Sequence, residues 1–347
     1  MGKLTMWRFI REQYQTIKPV QKVDLSGKTV VITGGNTGLG FEAAKHFATM
    51  NPTRLIIACR SLEKGNVALA QLSKDTGYTN AEAWSLDLNS FASVREFADR
   101  FERERGRLDV LVENAGIMGK SSYEKTADGY TPVSQTNNIS PSLHTLLLLP
   151  YIIETAEKHH TIPRIVFVSS DVHFMSGMAD GESERFANQP NMIDALSSVD
   201  YHNQVPEQMR YFDSKLLSVF FVRALQAHLP NSPSIVVNVV NPGYCYSGFR
   251  KGFSGFMAFF DYLMERFLAL STEEGGRQLV YAAVGGAGEE GKLKGGYVSF
   301  GEVIEPSDFS MSEKGLKLEE KYWTQLLNIL KGADPRVKST IERYLQN

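Results

Sequence analysis

The run Thr33-Gly34-Gly35-Asn36-Thr37-Gly38-Leu39-Gly40 limits what this chain can fold into more than any other stretch. It follows Lys28-Thr29-Val30-Val31-Ile32, whose β-branched residues predict a buried strand. It leads directly into Phe41-Glu42-Ala43-Ala44-Lys45-His46-Phe47-Ala48, where helix formers carry apolar residues at helical spacing. A strand, a glycine turn and a helix start bring free backbone N–H groups and the positive end of the helix dipole to one point, which suits a phosphate. Glycine serves there because a side chain blocks either the phosphate or a positive φ. The spacing is Gly-x3-Gly-x-Gly rather than the commoner Gly-x-Gly-x2-Gly. Taken alone, such a turn is also compatible with a plain structural role.

The rest of the chain repeats the strand–helix rhythm. Residues 54–59, 81–86, 108–112, 164–168, 234–241 and 296–300 read as further strands. Residues 62–76, 90–105, 133–158, 207–229, 279–284 and 313–331 read as helices. This alternation predicts an α/β fold: a single doubly wound parallel-sheet (Rossmann) domain with helices on both faces. No linker-like composition divides residues 27–347, and an N-terminal helical extension occupies 1–26. Within the extension, Trp7, Ile10, Tyr14 and Ile17 recur at helical spacing over residues 4–18, which suits docking on the domain or contact with a membrane surface. Residues 171–208 break the rhythm with a polar stretch of the length of a lid or insertion. Residues 248–272 are dense in Phe and Met and read either as a buried helix pair or as an apolar flap over a substrate pocket. Helices over 313–345 complete the chain.

Composition excludes several classes. With 37 basic and 39 acidic residues, nothing draws the chain towards nucleic acid. No apolar run is long enough to span a membrane, and no apolar signal core opens the chain, so a cytoplasmic protein with at most peripheral membrane association is expected. Cys59 and Cys245 form no ligand pattern and read as small core residues. His159-His160 lacks further metal ligands, His144 lies in an apolar run and reads as a core histidine, and no metal is expected. His173, just past Ser170, is within sequence reach of a pocket.

Tyr211-Phe212-Asp213-Ser214-Lys215 places a phenol and an ammonium four residues apart on one helix face. The positive charge favours phenolate, which makes the tyrosine usable as an acid or base nearer neutral pH. Ser169-Ser170 stands at the C-terminal end of the fifth strand, where open α/β sheets bind ligands. Combined with the glycine turn, these residues read as a hydride-transfer site.

At this point the chain resembles the short-chain dehydrogenase/reductase family over about residues 27–300. The resemblance rests on TGGNTGLG at 33–40, Asp87 after the third strand, ENAG at 113–116, the serine pair, YFDSK at 211–215 and NPG at 241–243. Details such as IIACRS at 56–61 and NPGYCYSG at 241–248 are similar to the retinol-dehydrogenase-like branch, especially fungal members. The resemblance implies Tyr211 as proton donor or acceptor and Lys215 as the group that lowers its pKa and holds the nicotinamide ribose. It implies Ser170 as the group that orients the carbonyl, in preference to Ser169. Asn137 is the helix asparagine of the proton relay, preferred to Asn138 for its distance to Pro150. The cofactor residues implied are Gly34, Asn36, Thr37, Gly38, Leu39, Gly40, Arg60, Asp87, Leu88, Asn114, Gly116, Pro242, Gly243 and Ser247, with Tyr211 and Lys215.

The chain departs from the family pattern at Glu113, where asparagine is usual, and at Ser247, where threonine is usual. It also departs in the 40 residues that separate Ser170 from Tyr211. At the end of the second strand an acidic residue would bind a ribose 2′-hydroxyl, whereas Arg60 suits a 2′-phosphate, so NADP(H) is the expected cofactor. The expected function is interconversion of a carbonyl and an alcohol on an apolar ketone, aldehyde or secondary metabolite. Epimerisation, double-bond reduction and a non-catalytic nucleotide-binding scaffold are the alternatives. Homodimers through the long helices are a further implication.

Overall fold

The computed structural model describes residues 5–104, 106–231, 234–246 and 265–346. Eight strands form one sheet: β1 Thr29–Thr33, β2 Arg54–Cys59, β3 Ala81–Ser85, β4 Val110–Glu113, β5 Arg164–Val168, β6 Val236–Asn241, β7 Tyr297–Ser299 and β8 Glu302–Ile304. Their spatial order is β3-β2-β1-β4-β5-β6-β7-β8. All pairs up to β7 are parallel, and β8 adds an antiparallel edge. The chain runs outward from β1 to β3 and then returns to the other side of β1. This reversal opens a crevice at the C-terminal ends of β1 and β4, the usual ligand position in such sheets.

The principal helices are α1 Met6–Gln13, α2 Gly38–Ala48, α3 Leu62–Thr76, α4 Phe91–Arg103, α5 Ser140–His159, α6 Glu207–His228, α7 Thr272–Val284, α8 Glu313–Ala333 and α9 Pro335–Tyr344. Successive strand residues point to opposite faces of the sheet, and both faces are covered, so the strands are continuously apolar. Val31, Ile56, Leu111 and Ile165 enter one core with Phe97 of α4, Leu143 of α5 and Phe220 of α6. Val30, Ile32, Leu55, Ile57 and Val112 enter the other with Phe47 of α2, Leu72 of α3 and Leu279 of α7. Helix starts are fixed by side-chain caps: Ser61 for α3, Ser90 for α4, and a reciprocal Ser271–Glu274 box for α7.

Four features go beyond the sequence reading. The long helix expected over 133–158 is interrupted at its start: Pro132–Ser134 is a short turn and Gln135–Ile139 a π-helical turn, so α5 begins at Ser140. The edge strand β8 is three residues long and mostly exposed, too short and too polar for a periodic signal. The polar stretch after Ser170 is a packed substructure with short helices at Glu184–Ala187, Met192–Ala195 and Val199–Gln204. Its scattered apolar residues, Met178, Phe186, Ile193, Leu196 and Val205 among them, are buried in the first core. Finally, the outer faces of the long helices are occupied from within the chain. Tyr322, Trp323 and Leu326 of α8 join the core of α6, and Val337 of α9 is fully buried in the same cluster. A second copy meeting those faces would therefore meet α8 and α9 first.

Among the described residues no helix is long and apolar enough to cross a membrane.

Candidate active site

The glycine turn has a tight floor and an open mouth. Gly34 and Gly38 adopt φ of +66° and +58°, a region that L side chains resist. A Cβ on Gly40 would stand 2.5 Å from Asn114 Nδ2 and 2.7 Å from the Gly34 carbonyl oxygen. A Cβ on Gly38 would meet nothing within 4 Å. Thr37, in the N-cap position of α2, makes no side-chain capping bond, so the first N–H groups of that helix keep their orientation towards the open mouth. Asn36 is half-buried and Thr37 exposed, while Leu39 packs beside Cys245 and Leu270. This is a fit for a phosphate: backbone donors, a positive helix end and room.

Beneath the turn lies a buried polar network that the sequence did not reveal. Thr33 Oγ1 donates to Glu113 Oε2 (3.1 Å) and accepts from the backbone N–H groups of Asn114 (3.0 Å) and Ala115 (3.1 Å). Asn114 Nδ2 donates to the carbonyl oxygens of Thr33 and Gly34. The second oxygen of Glu113 lies 2.6 Å from His144 Nδ1, with both side chains essentially excluded from solvent. The unusual Glu113 and the histidine of the apolar helix are therefore one pair. Their 31-residue separation in sequence hid it.

Past the end of β3, Asp87 turns its carboxylate onto the Asn89 N–H (2.9 Å), and Leu88 is buried. Arg60 is exposed at the end of β2. It lines a cavity of about 480 Å³ with Asn89, Ile117, Lys120 and Lys125, which gives that rim a basic character. The cavity extends to Asn138, Asp213 and Ser214 but is lined by neither Tyr211 nor Ser170.

At the other end, α6 brings Tyr211 and Lys215 to the sheet. Lys215 Nζ lies 5.4 Å from the centroid of the Tyr211 ring and donates to the Val168 carbonyl oxygen (2.9 Å). Burial pulls the lysine down from 10.5 to about 8. A Cβ on Gly116 would approach Asn137 Oδ1 to 3.3 Å, a tight contact, and Lys215 Nζ to 3.7 Å, an ordinary one. Asn137 grips the backbone of Ile117 in both directions: Oδ1 accepts its N–H (2.8 Å) and Nδ2 donates to its carbonyl (2.9 Å). Asn137 Nδ2 also donates to Ser214 Oγ (3.0 Å), between the tyrosine and the lysine. Asn138 points instead to the Ser214 carbonyl and Ser218 hydroxyl. The π-helical turn allows adjacent asparagines to serve these two different neighbours.

The serine pair divides similarly. Ser169 is buried and donates to the Lys215 carbonyl oxygen (2.9 Å), tying β5 to α6. Ser170 is half-buried, and among the described residues its hydroxyl accepts a long bond from Val172 N–H (3.4 Å). His173 does not face a pocket: it is buried, Nδ1 meets the Ser170 carbonyl (2.8 Å) and Nε2 accepts the Ser307 N–H (3.1 Å). Burial holds it down to about 4, so it is neutral and acts as a brace. Asp213, in the middle of the Tyr-x3-Lys pair, is likewise internal. It accepts from Ser176 Oγ, the Gly177 N–H, Ser183 Oγ and Tyr201 OH, and so fastens the 176–205 substructure to α6.

Pro242 is buried, and Gly243 has φ +82° with its N–H on Asn241 Oδ1. Ser247 lies outside the described residues, as does 248–264 of the expected flap; in the remainder, Leu270 is buried and Phe267 exposed.

Comparison with known proteins shows the family and the fold. The family profile described as short chain dehydrogenase matches residues 28–180. Short-chain dehydrogenase anuD of Penicillium roqueforti is 34% identical over 337 residues, 95% of this chain and 84% of the relative. Short chain dehydrogenase/reductase dmxR8 of a Cryptosporiopsis species is also 34% identical, over 95% and 99%. A solved structure of a short chain dehydrogenase from Pseudomonas syringae, itself titled putative, superposes with a TM-score of 0.60 at 21% identity, covering 82% of this chain and 100% of that one; it speaks for the fold.

Proposed function

The chain belongs to the short-chain dehydrogenase family of oxidoreductases, and on that premise we propose that it is an NADP(H)-dependent enzyme interconverting a carbonyl and an alcohol on an apolar substrate. The observation that carries this reading is the burial of Lys215 between the Val168 carbonyl, Gly116 and the Tyr211 ring, at the end of the sheet that also holds the glycine turn.

In this reading Gly34, Asn36, Thr37, Gly38, Leu39 and Gly40 hold the pyrophosphate, Asp87, Leu88, Asn114 and Gly116 flank the adenosine half, and Pro242, Gly243 and Ser247 flank the nicotinamide. The bound dinucleotide, when reduced, supplies a hydride to the carbonyl carbon. The Tyr211 hydroxyl delivers the proton to the carbonyl oxygen, and the Lys215 charge favours the phenolate left behind. Ser170, whose hydroxyl is less committed than that of Ser169, donates to the same oxygen as negative charge develops there. Asn137, through Ile117 and Ser214, keeps the tyrosine–lysine turn against the floor of the cofactor site. Screening apolar ketones and aldehydes for loss of reduced-nicotinamide absorbance tests the reading; tight NADPH binding without turnover of any carbonyl would favour the scaffold alternative.

Two results follow from particular residues. A guanidinium on a 2′-phosphate makes a charge-assisted contact, so Arg60→Ala should raise the KM for NADPH about 10- to 100-fold and leave that for NADH nearly unchanged. Equal effects on both cofactors would remove the basis for NADP(H).

The second concerns pH. Below about 8 Lys215 carries its charge, and as pH rises through that value the pull on Tyr211 is lost, so carbonyl reduction should decline on the alkaline side with a midpoint near 8. The sign for stability is opposite. A lysine depressed from 10.5 to about 8 binds fewer protons folded than unfolded over that interval, so its contribution to stability rises there. A decline in rate that tracked a falling melting temperature would contradict the assignment.

A further inference from the structure

The N-terminal helix lies against the end of the sheet to which the mechanism assigns the nicotinamide. Helix α1 is capped by Thr5 and presents Trp7 and Tyr14 to solvent, while Glu12 and Gln13 are buried at 7% and 5% exposure. Gln13 Oε1 accepts the backbone N–H of Tyr244 (3.2 Å), and Phe9 meets the Tyr244 ring edge-on at 6.0 Å. Arg8 stacks over Phe174 at 5.2 Å and donates from Nε to Glu12 Oε1 (2.7 Å). The chain after α1 is held too: Arg277 donates to the Ile17 carbonyl, and Ile17 is buried with Cys245 and Leu270.

The two segments touched by α1 are the ones that follow β5 and β6. They share an anchor, Asn241 Oδ1, which accepts the N–H groups of both Asp171 (3.3 Å) and Gly243 (3.1 Å). Among the described residues, three buried polar atoms here have no partner: Glu12 Oε2, Gln13 Nε2 and Asp171 Oδ2. Purely structural packing rarely leaves three such atoms unsatisfied at one junction.

We propose that α1 is a clamp on the catalytic end of the site, in which Gln13 and Glu12 act as positioning residues that hold Gly243–Tyr244 and the Ser170–Phe174 turn at their working separation. The proposal rests on the reading of Ser170 and Gly243 given above. Asp171 is the group through which the clamp senses pH. Burial first, and the Glu12 charge in addition, push its carboxyl up to about 6. The Tyr297 hydroxyl on Oδ1 (2.8 Å), the Asn241 side chain and the Arg8 charge oppose this.

The test uses the full chain with Gln13→Leu, Glu12→Gln and the exposed control Trp7→Ala. Gln13→Leu should lower kcat about tenfold or more, as loss of alignment does, while the Kd for NADPH, read from its own fluorescence, moves less than about threefold because most contacts lie on the glycine turn and adenosine side. Hydrogen exchange at 242–246 should accelerate in the cofactor-free protein. Glu12→Gln should move any acidic break of kcat near pH 6 to lower pH, since it removes one cause of the raised Asp171 value. Trp7→Ala should change none of these. A Gln13→Leu protein that folds with unchanged exchange and unchanged kcat overturns the clamp. If Gln13→Leu does not fold, an unmoved pH profile in Glu12→Gln overturns it equally. Faster exchange in Gln13→Leu, in a protein whose parent turns over no carbonyl, would sustain the clamp and sink the assigned reaction instead.

Discussion

Tyr211→Phe is expected to reduce carbonyl turnover by roughly 10²- to 10⁴-fold, the range for removing a positioned proton donor, while NADPH binding stays close to that of the parent. Phenylalanine keeps the ring that stands 5.4 Å from Lys215 Nζ, so the packing of α6 against the sheet is preserved. The lysine also keeps its own bond to Val168, and the Asn137–Ser214 contact does not involve the phenol. The loss should therefore appear in kcat rather than in the melting temperature or the cofactor Kd, which titration by fluorescence and a thermal scan would separate. Retained turnover would mean that the proton comes from elsewhere.

Gly40→Ala should act at the other end of the site, on cofactor binding and stability. The added methyl would stand 2.5 Å from Asn114 Nδ2 and 2.7 Å from the Gly34 carbonyl, both parts of the floor under the phosphate turn. Relief requires either Asn114 to release Thr33 and Gly34 or α2 to move away from β1. Overpacking of this kind costs about 1–3 kcal/mol of stability. A displaced turn should also raise the NADPH Kd roughly tenfold or more, equivalent to about 1.4 kcal/mol. Gly38→Ala is the contrasting variant: it meets no atom within 4 Å and pays only for its φ of +58°, so its melting temperature should fall less. Equal melting temperatures for the two variants would show that the floor is looser than described.

The contrast between these two glycines also shows what a sequence can convey. The glycine turn and the Tyr211–Lys215 spacing were legible because each is a local pattern whose chemistry follows from residues within one turn or one helix face. The alternation of strands and helices was legible for the same reason, and it led to the doubly wound sheet. Glu113 and His144 were not legible as a pair because the link runs across the core, between the end of β4 and the second turn of α5. The 176–205 substructure read as polar because its buried residues, such as Phe186 and Leu196, are scattered among solvated ones without a period. His173 looked available beside Ser170, yet the backbone of Ser307, more than 130 residues later, occupies its second nitrogen. Docking of α1 was suggested by the spacing of Trp7, Ile10, Tyr14 and Ile17. Ile17 is buried as that spacing implies and Phe9 packs on Tyr244, whereas Trp7 and Tyr14 face solvent and the polar Arg8 and Gln13 supply further contacts.

The central claim is that this site couples a nicotinamide dinucleotide to proton delivery by Tyr211 at a carbonyl. The most direct measurement is a pair of single-turnover reactions, with NADPH carrying deuterium at the pro-R position of nicotinamide C4 in one and at the pro-S position in the other, and an apolar ketone or aldehyde from the screen, followed by mass spectrometry of the product. The account predicts deuterium on the carbinol carbon from one face only, and no labelled alcohol from Tyr211→Phe under conditions where it still binds the cofactor. NADPH consumed without label in any alcohol, or label transferred equally well by Tyr211→Phe, would contradict it.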